Sequence, residues 1–180
     1  MKRSFLVKKE ELVIYKRRLL HWRLEGAVYF ITWRLQPSQY ELKPEERSII
    51  IESIKHFDGD RYDLLAYVVM HDHVHVIVEP AEKYGLAQLV HSWKSFTSNR
   101  LQRQFNQRKS IWQDEYFDRI IRDEAELLEK AQYIINNPFK AWPDIEEYHW
   151  VGGKLIEEAG TEARPTSTEA RPTSTEARPT

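Results

Sequence analysis

Cysteine is absent from this chain of 180 residues. That excludes disulfides and thiolate-held zinc, and it fits a reducing compartment. No apolar run approaches the ~20 residues needed to cross a bilayer. The start, Met1-Lys2-Arg3-Ser4-Phe5-Leu6-Val7-Lys8-Lys9, lacks the apolar stretch of a secretory signal. A cytoplasmic, soluble protein with no membrane partner is therefore expected. One absence is local: residues 83–109 hold six Lys/Arg and no acid at all, in a chain that is 31% charged.

The formal net charge of −1 hides this segregation. Residues 1–23 hold eight Lys/Arg against two acids, residues 24–82 five against eleven, and residues 110–158 five against twelve. Two basic blocks on a nearly neutral chain point to a local polyanion site rather than to general stickiness. Ordinary solvated faces are an adequate reading of the first block and a poorer one of the second.

Two segments are expected, a domain over 1–158 and a tail over 159–180. The tail runs Gly160-Thr-Glu-Ala-Arg-Pro-Thr and then repeats Ser-Thr-Glu-Ala-Arg-Pro-Thr twice to Thr180. With one Ala as its only apolar residue per repeat, and a recurrent Pro, it has too little to bury and is expected to be disordered.

The domain alternates strands and helices. Ala27–Leu35 is rich in β-branched and aromatic residues and reads as a strand. Pro44-Glu45-Glu46 opens a helix to about His56, with Pro at its first position and acids in its first turn. Leu64–Met70 and His73–Val78 read as strands joined by a short turn at His71-Asp72. Gly85 to about Phe105 is a long helix with Leu86, Leu89, Val90, Trp93, Phe96 and Leu101 at helical spacing, and Trp93, Phe96 and Phe105 are expected in the core. Tyr116–Ile121 suits a fourth strand. Asp123-Glu124-Ala125-Glu126 resembles a capping box that starts a last helix. The order β-α-β-β-α-β plus an extra helix gives an α+β fold with a ferredoxin-like antiparallel sheet, the first and third strands central and the paired helices on one face.

On the third strand His73 and His75 share a face at roughly 6.6 Å spacing, close enough for both imidazoles to hold one ion. Val74 and Val76 turn into the core, and the histidines are expected on an exposed face of the sheet. On the last helix Tyr133 and Asn137 lie one turn apart, about 40° from each other on one face. Pro138 is expected to push Asn137 out of helical geometry. Two histidines and a hydroxyl make a phosphoryl-transfer set.

These residues resemble a family. Met70-His71-Asp72-His73-Val74-His75-Val76-Ile77-Val78, then Trp112 with Tyr116-Phe117-Asp118-Arg119-Ile120-Ile121-Arg122, then Tyr133-Ile134-Ile135-Asn136-Asn137-Pro138, occur in the order seen in REP-associated tyrosine transposases. Those enzymes are a branch of the single-tyrosine HUH transposases of bacterial insertion sequences. His21-Trp22-Arg23-Leu24-Glu25-Gly26-Ala27 is similar too, so the likeness covers about residues 20–142. The chain departs from the pattern at His71, where members usually carry Pro, and at Asn137, where many carry Gln.

The resemblance implies an enzyme that nicks single-stranded or hairpin-forming repeat DNA and transfers the strand. His73, His75 and Asn137 match its ligands for Mg²⁺ or Mn²⁺. Tyr133 matches the nucleophile that forms a 5′-phosphotyrosine link and frees a 3′-hydroxyl. A nucleoid-associated protein, monomeric or homodimeric, is expected.

The chemistry suits these residue types. An unperturbed tyrosine needs about 4 kcal/mol to reach the phenolate at pH 7, and a divalent ion beside the phosphate offsets part of that while polarising a non-bridging oxygen. Imidazole ligands favour Mn²⁺ at least as much as Mg²⁺. For DNA contact the acid-free Gly85–Lys109 segment offers Lys94, Arg100, Arg103, Arg108 and Lys109 to backbone phosphates, with Lys16-Arg17-Arg18 as a second cluster. Lys130 precedes Tyr133 by three residues and is expected at the solvated surface; Asp118 and Arg122 are expected to pair. The main rival reading is a domesticated protein that binds the hairpin without cutting it. A histidine-ligated hydrolase unrelated to DNA would leave Tyr133 and the basic segment without roles.

Overall fold

A computed structural model describes residues 26–105 and 110–156, together with the backbone of Val7 and Lys8. Arg108, Lys109, the Lys16–Arg18 cluster, His21–Glu25 and the tail over 159–180 lie outside the described residues. The elements in chain order are β1 (Val7–Lys8), β2 (Val28–Arg34), α1 (Pro44–Lys55), β3 (Tyr62–Val69), β4 (His73–Pro80), α2 (Leu86–Phe105), β5 (Phe117–Ile121), α3 (Glu124–Ala141), β6 (Glu147–Tyr148) and β7 (Val151–Gly152).

The architecture is α+β. Five strands form an antiparallel sheet in the order β5-β2-β4-β3-β7; the first and third long strands are neighbours inside it, and the two-residue β7 makes β3 interior as well. That order agrees with a split β-α-β-β-α-β arrangement. β1 and β6 add a separate two-stranded ladder.

Both faces of the sheet are covered, which is why β3 and β4 read as nearly unbroken apolar runs. On one face Ile31, Trp33, Val74, Val76 and Val78 pack with Ile50 and Ile54 of α1 and Leu89, Val90 and Trp93 of α2. On the other, Val28, Phe30, Val68 and Ile77 pack with Leu127, Ala131, Ile134 and Ile135 of α3. A register shift between Leu64 and Ala66 inserts one residue in β3, so Leu65 and Ala66 both turn to the α3 side.

The α1–α2 layer is tied by aromatic hydrogen bonds. Trp93 Nε1 donates to Tyr62 Oη at 3.0 Å, and Tyr62 Oη donates to Ile54 O at 2.8 Å. Trp112 Nε1 donates to Thr97 Oγ1 at 2.9 Å. Phe96, expected inside, is 50% exposed; the buried stripe of α2 runs through Leu89, Val90, Trp93, Thr97 and Leu101, and Phe96 stands beside it.

α3 starts where the carboxylates of its first turn dictate. The Asp123 side chain accepts from Glu126 N at 2.8 Å, and Glu126 accepts from Arg122 N at 3.0 Å. Arg122 and Arg119 also donate to Glu126 through Nε at 3.1 and 2.7 Å, so the expected Asp118–Arg122 pair gives way to a Glu126-centred one. The helix then runs through Pro138 to Ala141. Pro138 was expected to end helical geometry at Asn137. Instead Pro138 and Phe139 are buried, and their packing keeps the last turn in place despite the missing N–H. Beyond it, Tyr148 Oη donates to Val69 O at 2.7 Å, and Val69 N to Trp150 O at 2.8 Å, docking the following segment on β3.

Candidate active site

The site lies between β4 and α3. Strand alternation places His73 and His75 on the α3 side, opposite Val74 and Val76. Their rings meet at 4.6 Å between centroids. The face is not open to solvent as expected: His75 is 4% exposed, because α3 covers it. His75 stacks on Phe30 at 5.3 Å, and the Tyr133 ring stands edge-on to it at 5.2 Å. Tyr133 itself is 38% exposed, so the residue whose ring stands against the buried histidine also faces solvent.

Each imidazole is held at Nδ1. His73 Nδ1 lies 2.5 Å from Asp72 Oδ1, and Arg34 donates to the other Asp72 oxygen at 3.3 Å. His75 Nδ1 lies 2.7 Å from Thr32 Oγ1, on the neighbouring central strand. His75 Nε2 is buried and has no partner among the described residues. Burial, reinforced by the neighbouring His73, pushes the His75 pKa down to about 3, so its ring is neutral at neutral pH. Burial also lowers His73, against the opposing pull of Asp72.

These features suit a metal. Ligation needs neutral imidazoles, and a ligating histidine commonly gives its other ring nitrogen to a carboxylate or oxygen acceptor. Among the described residues no group of three or more His, Cys, Asp or Glu gathers at one point. A further protein donor from the described residues would be an amide, a hydroxyl or a backbone carbonyl. Asn137, half-buried one turn beyond Tyr133, keeps the helical register that puts it on the Tyr133 face. His71 faces Trp142 at 5.1 Å between centroids.

Cations stand around this centre. Lys140 Nζ is 5.4 Å from the Tyr133 ring centre, and Lys130 Nζ is 5.9 Å from that of Phe30. Lys130 is also bonded to Glu129 at 2.9 Å. Three of the DNA-contact candidates sit elsewhere. Lys94, Arg100 and Arg103 belong to α2, on the other face of the sheet. There Lys94 donates to Asp114 O at 2.6 Å, and Arg100 pairs with Glu52 at 2.7 Å. Thr32, Asp72, Phe30 and Lys140 were not singled out from the sequence. Thr32 had a signal, as the polar interruption of an otherwise apolar and aromatic central strand.

Residues 28–137, from the first residue of β2 through His73, His75 and Tyr133 to Asn137, match the family described as "Transposase IS200 like". The chain belongs to the IS200-like transposase family. A Haemophilus influenzae protein that carries the name of the REP-associated tyrosine transposases is 26% identical over 133 residues, 64% of this chain and 72% of that one. This IS200-like transposase also shares its fold with a REP-associated tyrosine transposase solved bound to a REP hairpin. The TM-score is 0.56 at 20% identity, covering 79% of this chain and 74% of that one. No helix among the described residues of the transposase is long and apolar enough to cross a membrane.

Proposed function

We propose that this transposase nicks single-stranded, hairpin-forming repeat DNA and transfers the cut strand through a 5′-phosphotyrosine intermediate on Tyr133. The observation that carries the reading is the placement of a half-exposed phenol edge-on to His75, whose neutral ring keeps a buried, unpartnered Nε2.

Tyr133 Oη loses its proton to solvent and attacks the scissile phosphorus. The Oη–P bond forms as the P–O3′ bond breaks, and the departing 3′-oxygen takes up a proton. The strand is left with a free 3′-hydroxyl and the protein with the 5′-phosphate. Because a phenolate leaves more readily than an alkoxide, an incoming 3′-hydroxyl reverses the link and transfers the strand. His73 and His75, with Asn137 as third donor, would hold Mg²⁺ or Mn²⁺, which supplies charge neutralisation at the phosphate and assists phenol ionisation. Lys140 adds a fixed positive charge beside the phenol. Lys94, Arg100 and Arg103, across the sheet from this centre, hold the flanking stem; Arg108 and Lys109 extend the same segment.

The relative solved on a REP hairpin supports a hairpin partner here as well. The test is end analysis of a hairpin oligonucleotide with a 5′ extension, incubated with Mn²⁺ or with a chelator. A Mn²⁺-dependent cut that leaves one free 3′-hydroxyl and one protein-blocked 5′ end supports the reading. Tight binding with intact DNA would make the protein a non-cutting hairpin binder.

A further inference from the structure

We propose that Asp72 and Thr32 are positioning residues that fix His73 and His75 in the Nδ1–H tautomer, leaving an Nε2 lone pair on each ring. The inference rests on the metal-assisted reading above and deepens it by naming what sets its donors.

For His73, valence decides the tautomer. An ionised carboxylate only accepts hydrogen bonds, so the 2.5 Å contact with Asp72 Oδ1 requires the proton on Nδ1. Arg34 engages the other Asp72 oxygen at 3.3 Å and keeps that carboxylate turned toward the ring.

For His75 the partner is a hydroxyl, which can donate or accept. If Thr32 donated to Nδ1, the proton of the neutral ring would sit on Nε2, a buried atom with nothing among the described residues to receive it. If Thr32 accepts, Nε2 carries a lone pair, and that is the form a cation satisfies. The two rings thus reach one tautomer by different means: His73 by a carboxylate on its own turn, His75 by a hydroxyl on the adjacent central strand. Thr32 and His75 are cross-strand partners, so sheet register itself delivers the hydroxyl.

The experiment uses the full chain and Mn²⁺ alone, without DNA. Two-bond ¹H–¹⁵N correlation spectra of the metal-free protein read each tautomer, and electron paramagnetic resonance titration reads Mn²⁺ affinity. Both rings are expected as Nδ1–H. Thr32→Val and Asp72→Ala should each weaken Mn²⁺ binding about 10- to 100-fold. Thr32→Ser and Asp72→Asn keep an oxygen acceptor and should recover most of the loss, which a merely structural role would not require. An Nε2–H form of either ring in the unaltered protein overturns the proposal, as does undiminished Mn²⁺ binding in Thr32→Val and Asp72→Ala. Nδ1–H rings in a protein that takes up no Mn²⁺ would uphold the positioning and contradict the metal-assisted reading instead.

Discussion

The Tyr133 ring meets His75 edge-on, with centroids 5.2 Å apart and planes 70° apart, so the proposed nucleophile and one proposed ligand share a single packing contact. A half-exposed phenol over a buried imidazole joins reactivity to stability at one point.

That contact separates the two histidines in mutagenesis. His75 is enclosed by Phe30, Tyr133 and His73. His75→Ala removes a ring from a closed space and should cost about 1–3 kcal/mol of folding stability, with the unpartnered Nε2 keeping the loss below that of an apolar ring. His73 lies nearer the rim, its side chain 12% exposed, and His73→Ala should cost less. Urea denaturation of the two variants checks the order. Both should lose Mn²⁺-dependent nicking.

Glu126 gives a pH signature to the helix that bears Tyr133. Hydrogen bonds from the Arg122 backbone and side chain, and from Arg119, hold its pKa down to about 2, from an ordinary 4.5. A carboxylate with a lowered folded pKa contributes stability that is fully present above about pH 4.5 and is lost as pH falls toward 2. Thermal melts across that window should therefore show a fall that Glu126→Gln flattens. An equal fall in the variant would place the acid sensitivity elsewhere.

Replacing Arg100 and Arg103 with Ala should weaken hairpin binding and reduce its salt dependence by about one unit of slope per lost phosphate contact. Arg100 begins with Glu52 as its partner, so part of its contribution is spent in exchanging one anion for another. Arg103→Ala alone should therefore take the larger share. An unchanged slope would move the stem to another face, the Lys16–Arg18 cluster being the alternative.

Much of this was legible in the sequence because it rests on local pattern. Period-two alternation at Val74, His75 and Val76 set the histidines apart from the core valines, and Asp123 with Glu126 marked the start of α3. What escaped depends on tertiary partners. Strand alternation says that His75 faces away from Val74, and it does not say that α3 covers that side. Thr32 and Lys140 reach the site only through sheet register and helix docking. Pro138 misled because a local steric preference was outweighed by the burial of Pro138 and Phe139. The short strands β6 and β7 carry two residues each, too few for any periodicity to show.

The most direct measurement is the site of the covalent adduct. A hairpin DNA with a 5′ extension is incubated with the full chain and Mn²⁺, the adduct is isolated under denaturing conditions, and its peptide is sequenced. The account predicts a phosphodiester link on Tyr133. It also predicts that Tyr133→Phe, which removes one oxygen and keeps the ring against His75, binds DNA and Mn²⁺ with no adduct and no nick. A link on Tyr116 or any other tyrosine, or nicking retained by Tyr133→Phe, would contradict it.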